Sequence, residues 1–207
     1  MIAVQENQNN ARERVLQTAE TLFHKRGFHA VTMRDLAEAL EIRQASLYYH
    51  VPQGKEQLFV EVTERGLARH HEGLLAAIRQ AGPCLQAQLE AIADWFVAQP
   101  PLKLFSMVEA DMPALTTENG RYLMQIAEEA LFQPLITAFA AAQKRGEIRA
   151  VSPERLAGLF LTMIEGVLYS ARAHKNSLTP QQLAHEMIDI LLNGLYPVEP
   201  RGERNLP

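Results

Sequence analysis

Between Gln44 and His50 the chain reads QASLYYH, which puts a carboxamide, a hydroxyl, two phenols and an imidazole within two helical turns. On a helix of about 100° per residue, Leu47 and Val51 fall on one side, while Gln44, Ala45, Tyr48 and Tyr49 share an arc on the other. A phenol ring left in water exposes a large apolar surface unless something binds it. The donors on this arc suit noncovalent recognition rather than bond making. Hydroxyls and amides bond phosphate oxygens, and a glutamine amide matches the edge of adenine. Either tyrosine taken alone is more often a half-buried core aromatic, so the elements around the run have to decide.

Those elements are legible. Thr32 is a good N-cap, and Asp35 sits in the first turn, where a carboxylate is favoured by unpaired amides and the helix dipole. A helix therefore starts near Met33, with Leu36, Ala37 and Leu40 at helical spacing, and Glu41-Ile42 breaks the pattern. The next helix, opening at Gln44, is short because Pro52 disfavours the helical region for Val51. Upstream, Asn10 and Glu13 resemble a capping box. Val15, Leu16, Ala19, Leu22 and Phe23 then recur at helical spacing until Gly27 supplies a stop. Residues before Asn10, rich in Gln and Asn without an apolar period, are expected to form a disordered arm.

Two short helices around a tight turn, the second offering an outward polar arc, fit the geometry that places a helix in the major groove. The runs TMRDLAEAL, SLYYH and KEQLF, in that order and spacing over residues 11–60, resemble the DNA-binding signature of the TetR family of transcriptional regulators. The resemblance implies phosphate contacts from Thr32, Tyr48, Tyr49, His50 and Lys55, and places Arg43, Gln44, Ala45 and Ser46 nearest the bases. The family pattern has Gly where Glu41 stands and Phe where Val51 stands, and Gln53-Gly54 looks like a one-residue insertion. Glu41 is expected to carry modest strain, because glycine takes the left-handed conformation at little cost and glutamate does not.

Charge qualifies this picture. Residues 1–60 hold seven Lys and Arg and seven Asp and Glu, so the region is neutral, and the chain's net −4 arises beyond it. Binding driven by electrostatics alone would need a basic surface, so nonspecific DNA binding is expected to be weak. The 207 residues and 47% apolar content suit one large core or two smaller ones. No apolar run approaches the roughly 20 residues that span a membrane, and no signal pattern opens the chain, so a cytoplasmic protein is expected. The single cysteine, Cys84, excludes an internal disulfide and is expected to be a small apolar residue rather than a redox sensor.

Beyond Lys55 the signals are helical: a long helix from Lys55 to Ala81, one holding Leu85 to Phe96, and a short one from Leu102 to about Met112. Another runs from Glu118 to Arg145, kinked by Pro134. The last two are a helix opening at Ser152-Pro153 and one at Thr179-Pro180 with Gln182. The expected fold is all-α. Residues 10–58 make a three-helix DNA-binding domain, and 59–207 make a helical effector-binding and dimerisation domain. The helices near 152–174 and 179–196 are apolar over a wider arc than one face needs, which predicts a homodimer with a four-helix interface. Large side chains in the middle helices are more often plain core. The resemblance implies an effector site among them, drawing on Trp95, Phe96, Phe105, Met107, Glu109, Arg121, Tyr122, Met124, Phe132 and Met163.

Its functional implication is a ligand-responsive regulator, commonly a repressor, that binds a palindromic operator as a homodimer and is released by a small-molecule effector. No cofactor, metal or membrane partner is expected. An effector would act by shifting the helix from Lys55 to Ala81, where Gly66 and Gly73 weaken the helix or allow close packing. Glu41 and the neutral head leave a second reading, a helical small-molecule-binding protein with weak or lost DNA binding. An enzyme is disfavoured. His185-Glu186 begins like a zinc-protease motif, but Asp189 stands where the second His is required, and the adjacent His70, His71 and Glu72 cannot all point at one ion.

Overall fold

Ten α-helices follow one another among the described residues of the computed structural model, namely 2–100, 103–173 and 178–194, with the side chains of residues 2–9, 105, 172 and 173 excepted. They are α1 (Ile2–Arg26), α2 (Met33–Ala39), α3 (Gln44–His50), α4 (Gly54–Ala81), α5 (Leu85–Ala98), α6 (Leu104–Ser106), α7 (Thr117–Ala127), α8 (Gln133–Lys144), α9 (Pro153–Ala173) and α10 (Pro180–Asn193). No strand occurs among these residues, and no helix is long and apolar enough to cross a membrane. The all-α class is as expected.

Several ends follow their local chemistry. Gly27, at φ +79°, closes α1 with its N–H on the Phe23 carbonyl at 2.7 Å. Thr179 and Gln182 form a reciprocal capping box, with Pro180 in the first turn. The start of α1 differs from expectation: it runs from Ile2, so Asn10 lies inside the helix rather than capping it, and residues 2–9 are helical rather than a disordered arm. Once an apolar face further along has nucleated a helix, each added residue gains a hydrogen bond without a new nucleation cost, so a polar stretch can extend it.

The chain departs from α geometry twice, at π-helical turns over Met107–Asp111 and Glu128–Phe132. Each lies just before a proline, Pro113 and Pro134, and each contains the residue four positions ahead of that proline, Glu109 and Ala130. A proline ring clashes with that carbonyl and donates no N–H, and a wider turn relieves both problems. The kink expected at Pro134 therefore takes the form of a π turn.

Two compact units result. The first comprises residues 1–72 and 103–134, and the second 73–102 and 135–207. The expected division at 58/59 falls inside α4. In the first unit Val15, Ala19, Phe23, Leu36, Leu47 and Phe59 form a buried cluster that also takes in Met112 and Leu123. Phe59 meets Phe23 edge-on at 5.2 Å and lies 5.0 Å from Phe28.

In the second unit α5 packs on α9 and α10, burying Leu89, Ile92, Phe160, Ile164, Ala184 and Ile188. Each of the larger of these side chains is worth about 1.5–3 kcal/mol. Trp95 lies on Gly73 so closely that a Cβ there would fall 2.2 Å from its ring carbons. Gly73 is thus a site of close packing, whereas a Cβ at Gly66 would meet only the Arg69 guanidinium at 3.9 Å.

Candidate nucleic-acid interface

Thr32 and Asp35 build the first wall of the site. The Asp35 amide donates to Thr32 Oγ1 at 3.1 Å, the Thr32 amide donates to Asp35 Oδ2 at 2.8 Å, and the Thr32 hydroxyl also donates to Asp35. These bonds hold the Asp35 carboxyl below its ordinary pKa and start α2 at Met33, where the sequence places it. Leu36 and Ala37 of α2 are buried.

The turn that follows depends on one unfavourable residue. Glu41 has φ 58°, the left-handed conformation for which glycine is suited. The Ile42 N–H reaches back to the Ala37 carbonyl at 3.0 Å, and α3 can then leave at Gln44. Leu47 is the one side chain within α3 that is buried, at 0% exposure, and Val51 just past its end is buried as well. Tyr48 is 44% and Tyr49 73% exposed, and Arg43, Gln44, Ala45 and Ser46 are exposed with them. The inward and outward sides are those of the helical wheel. His50 is half-buried, with its ring edge-on to Tyr49 at 5.4 Å.

Two of the residues expected to contact phosphate have their donors engaged inside the protein. The Thr32 hydroxyl serves the capping box. Lys55 Nζ donates to the Phe28 carbonyl at 2.9 Å and lies 4.0 Å above the Phe28 ring, where burial lowers its pKa. Five cations of the first unit are likewise paired: Arg12 with Glu61, Arg26 with Asp35, Arg34 with Glu38, Arg65 with Glu13 and Arg69 with Glu20. Arg12 also holds the end of α3. Its partners stand 38 and 49 residues away, so no local spacing signals them.

The expected effector residues divide between the units. Met107, Glu109, Arg121, Tyr122, Met124 and Phe132 belong to the first, and Trp95, Phe96 and Met163 to the second. Phe96 is buried and Trp95 and Met163 half-buried, whereas Glu109, Arg121, Tyr122 and Met124 are exposed. Met107 packs against the buried cluster of the head. The Tyr122 hydroxyl donates to Glu64 at 2.7 Å. The side chain of Phe105 lies outside the described residues, as do His174 and residues 195–196 of the expected dimer helices. No group of three His, Cys, Asp or Glu among the described residues could hold a metal ion.

Comparison with known proteins bears on this arrangement. The family described as "Bacterial regulatory proteins, tetR family" matches residues 15–62, which run from within α1 to within α4. The HTH-type transcriptional repressor KstR2 of Rhodococcus jostii (strain RHA1) is 29% identical over 188 residues, 89% of this chain and 90% of its own length. Among solved structures, the TetR family regulator PfmR from Thermus thermophilus superimposes with a TM-score of 0.66 at 25% identity, covering 89% of this chain and all of that one. AibR, crystallised with isovaleryl coenzyme A and operator DNA, superimposes with a TM-score of 0.73 over 88% of this chain and 98% of its own. At 24% identity that likeness is one of fold. A capped α2, a left-handed turn, a short α3 with its phenols outward and a family match lying over these same elements mark residues 15–62 as a DNA-binding domain of the TetR-family type.

Proposed function

We propose that the chain is a ligand-responsive repressor that binds a palindromic operator as a homodimer and releases it when a small molecule binds. Residues 10–58 form the DNA-binding part and 59–207 the effector-binding and dimerisation part. Arg43, Gln44, Ala45 and Ser46 face the bases, and Tyr48, Tyr49 and His50 bond the flanking phosphates. Thr32 supports the surface by capping α2, and Lys55 by bonding the Phe28 carbonyl. The protein acts in the cytoplasm, beside the chromosome. AibR, with its acyl-coenzyme A and operator DNA, supplies the analogy for a ligand and an operator bound to one fold.

The observation that carries this reading is the exposure of two adjacent phenols on a helix with one buried side chain, Leu47. A dimer is supported by α9. Phe160, Leu161, Ile164 and Leu168 face inward, while Leu159 is 55% and Tyr169 74% exposed. A Cβ added at Gly158 or Gly166 meets open space. Pairing two such faces sets the two α3 helices about one DNA turn, roughly 34 Å, apart. The effector acts through unequal affinity for the DNA-bound and DNA-free arrangements.

The test is a mobility-shift titration on DNA upstream of the protein's own gene, with the wild type and a Tyr48→Ala/Tyr49→Ala double variant. Each lost phosphate bond is worth about 1 kcal/mol, so the double variant of the dimer is expected to bind at least a hundredfold more weakly while sedimenting as a dimer. Unchanged affinity would place the contact face elsewhere. A wild type that shifts no such DNA while binding small molecules would make the chain a ligand-binding protein without operator recognition.

A further inference from the structure

The recognition helix α3 is held by little. At seven residues it is too short to be stable alone, and Arg43 gives its N-terminus no side-chain cap. Its inward contacts are Leu47 and Val51, which lie along one line of the helix. Two points on a line leave rotation about that line free, and such a rotation would swing Gln44, Tyr48 and Tyr49 relative to any groove they face.

Arg12 acts off that line. Arg12 on α1 donates from Nη1 to the carbonyl of His50, the last residue of α3, at 2.6 Å, and from Nη2 to Glu61 Oε2 on α4 at 2.6 Å. The last carbonyls of a helix have no intrahelical partner, and a cation is favoured beside them by the helix dipole. Both arms of the guanidinium are thus committed within the protein. Arg65 with Glu13 and Arg69 with Glu20 join the same two helices. On α4, residues 61, 65 and 69 fall one turn apart, but only the first pairing reaches α3.

From this geometry we infer that Arg12, oriented by Glu61, is a positioning residue that fixes the rotation of α3 and thereby sets operator affinity without touching DNA. The inference rests on α3 being the recognition helix. It assigns to an arginine of the supporting helix a role in recognition that the exposed arc cannot fill itself.

The experiment compares the full-length wild type with Arg12→Ala, Glu61→Gln and Arg65→Ala. It measures operator binding across a salt series and amide exchange without DNA at Leu47 and Val51, whose N–H groups bond the Arg43 and Leu47 carbonyls. Arg12→Ala is expected to lower operator affinity about tenfold per protomer, as for loss of one charge-assisted hydrogen bond. Its salt slope should match the wild type, and exchange at Leu47 and Val51 should quicken while the rest of the head is unchanged. Glu61→Gln should move both readouts in the same direction by less, and Arg65→Ala should leave both within about twofold, as for an exposed pair.

Unchanged affinity and exchange in Arg12→Ala would overturn the inference. A salt slope shallower by about two per dimer would make Arg12 a phosphate contact instead. Equal effects from Arg65→Ala would reduce it to general support of the head. A wild type that binds no operator would sink the functional reading, and the exchange comparison would still decide whether Arg12 holds α3.

Discussion

Asp111 accepts the backbone N–H of Phe28 on Oδ1 at 2.9 Å, across 83 positions of sequence. The Phe28 carbonyl takes Lys55 Nζ from the other side, so both backbone polar groups of this residue are satisfied by side chains from distant segments. Nearby, Lys103 Nζ donates to the His24 carbonyl at 2.8 Å. Glu56 Oε1, in the first turn of α4, accepts from the Thr116 amide and hydroxyl and from Asn119 Nδ2 at 2.7–2.8 Å. The Asn119 bond leads in holding Glu56 below its ordinary pKa. With Met112 and Leu123 buried in the cluster built by α1 to α4, the segment from Lys103 to Ala127 is part of the first compact unit although residues 73–102 separate it from Glu72 in the chain.

Removing the Asp111 acceptor should therefore destabilise the head. Asp111→Ala leaves a part-buried N–H without a partner, which costs about 1–3 kcal/mol and lowers the unfolding midpoint by several degrees at about 2–4 °C per kcal/mol. Asp111→Asn keeps an acceptor oxygen and should retain most of the wild-type midpoint. Thermal unfolding followed by circular dichroism measures both. Equal midpoints for wild type and Asp111→Ala would mean that the bond adds nothing.

Glu41 offers a gain rather than a loss. A non-glycine residue at φ 58° carries about 1–2 kcal/mol of backbone strain, and glycine removes it while adding about 0.5–1 kcal/mol of unfolded-state entropy. Glu41→Gly should raise stability to urea by about 0.5–1 kcal/mol, and Glu41→Val should lower it because a β-branched residue fits that conformation worst. A destabilised glycine variant would show the turn to be unstrained.

How much of this was legible depended on how local the cause was. Thr32 with Asp35, Gly27 after α1 and Thr179 with Gln182 are contacts within four residues, and each was readable from spacing. The outward arc of α3 was equally plain, since the helical period alone sets Leu47 apart from Tyr48 and Tyr49. The capture of residues 103–127 by the head was not legible. Asp111 stands out only as one more acidic residue in a helical stretch, and its partner is a backbone N–H, which no sequence pattern marks. Lys55 shows the same limit. Its type and position suit a phosphate contact, yet the Phe28 ring and carbonyl lie within its reach. The π turns had a readable cause in Pro113 and Pro134, but the sequence alone does not distinguish a widened turn from a break.

Acid should weaken the fold through His70. This side chain on α4 is 4% exposed, and its burial, with a smaller push from Arg69, drives its pKa down from 6.5 to about 4. Below pH 6.5 the unfolded chain takes up a proton that the native protein refuses until about pH 4. Stability from this group is therefore complete above pH 6.5 and declines as pH falls towards 4. Linkage gives a loss of about 2 kcal/mol between about pH 7 and pH 5. His70→Gln, which does not titrate, should flatten that limb of the stability–pH curve measured by urea unfolding. An unaltered slope in the variant would assign the decline to other groups.

Salt dependence separates a head that binds by fit from one that binds by charge. Of the seven cations in residues 1–60, Arg12, Arg26 and Arg34 are paired with carboxylates and Lys55 is held by Phe28. Among the described residues, Arg14, Lys25 and Arg43 are left without such partners, and Arg43 alone adjoins the exposed arc of α3. Each phosphate neutralised contributes about 0.9 to the slope of log affinity against log salt, so a dimer using Arg43 alone gives about −2 and one using all three about −5. The measured slope should lie in that interval. Tyr48→Phe should weaken operator binding without changing the slope, because a phenol hydroxyl releases no counterion. Arg43→Ala should make the slope shallower by about two if it meets phosphate, and should relax base preference if it reads a guanine edge. A wild-type slope of about −10 would require the internal ion pairs to open onto the duplex, and the neutral donors of α3 would then be secondary.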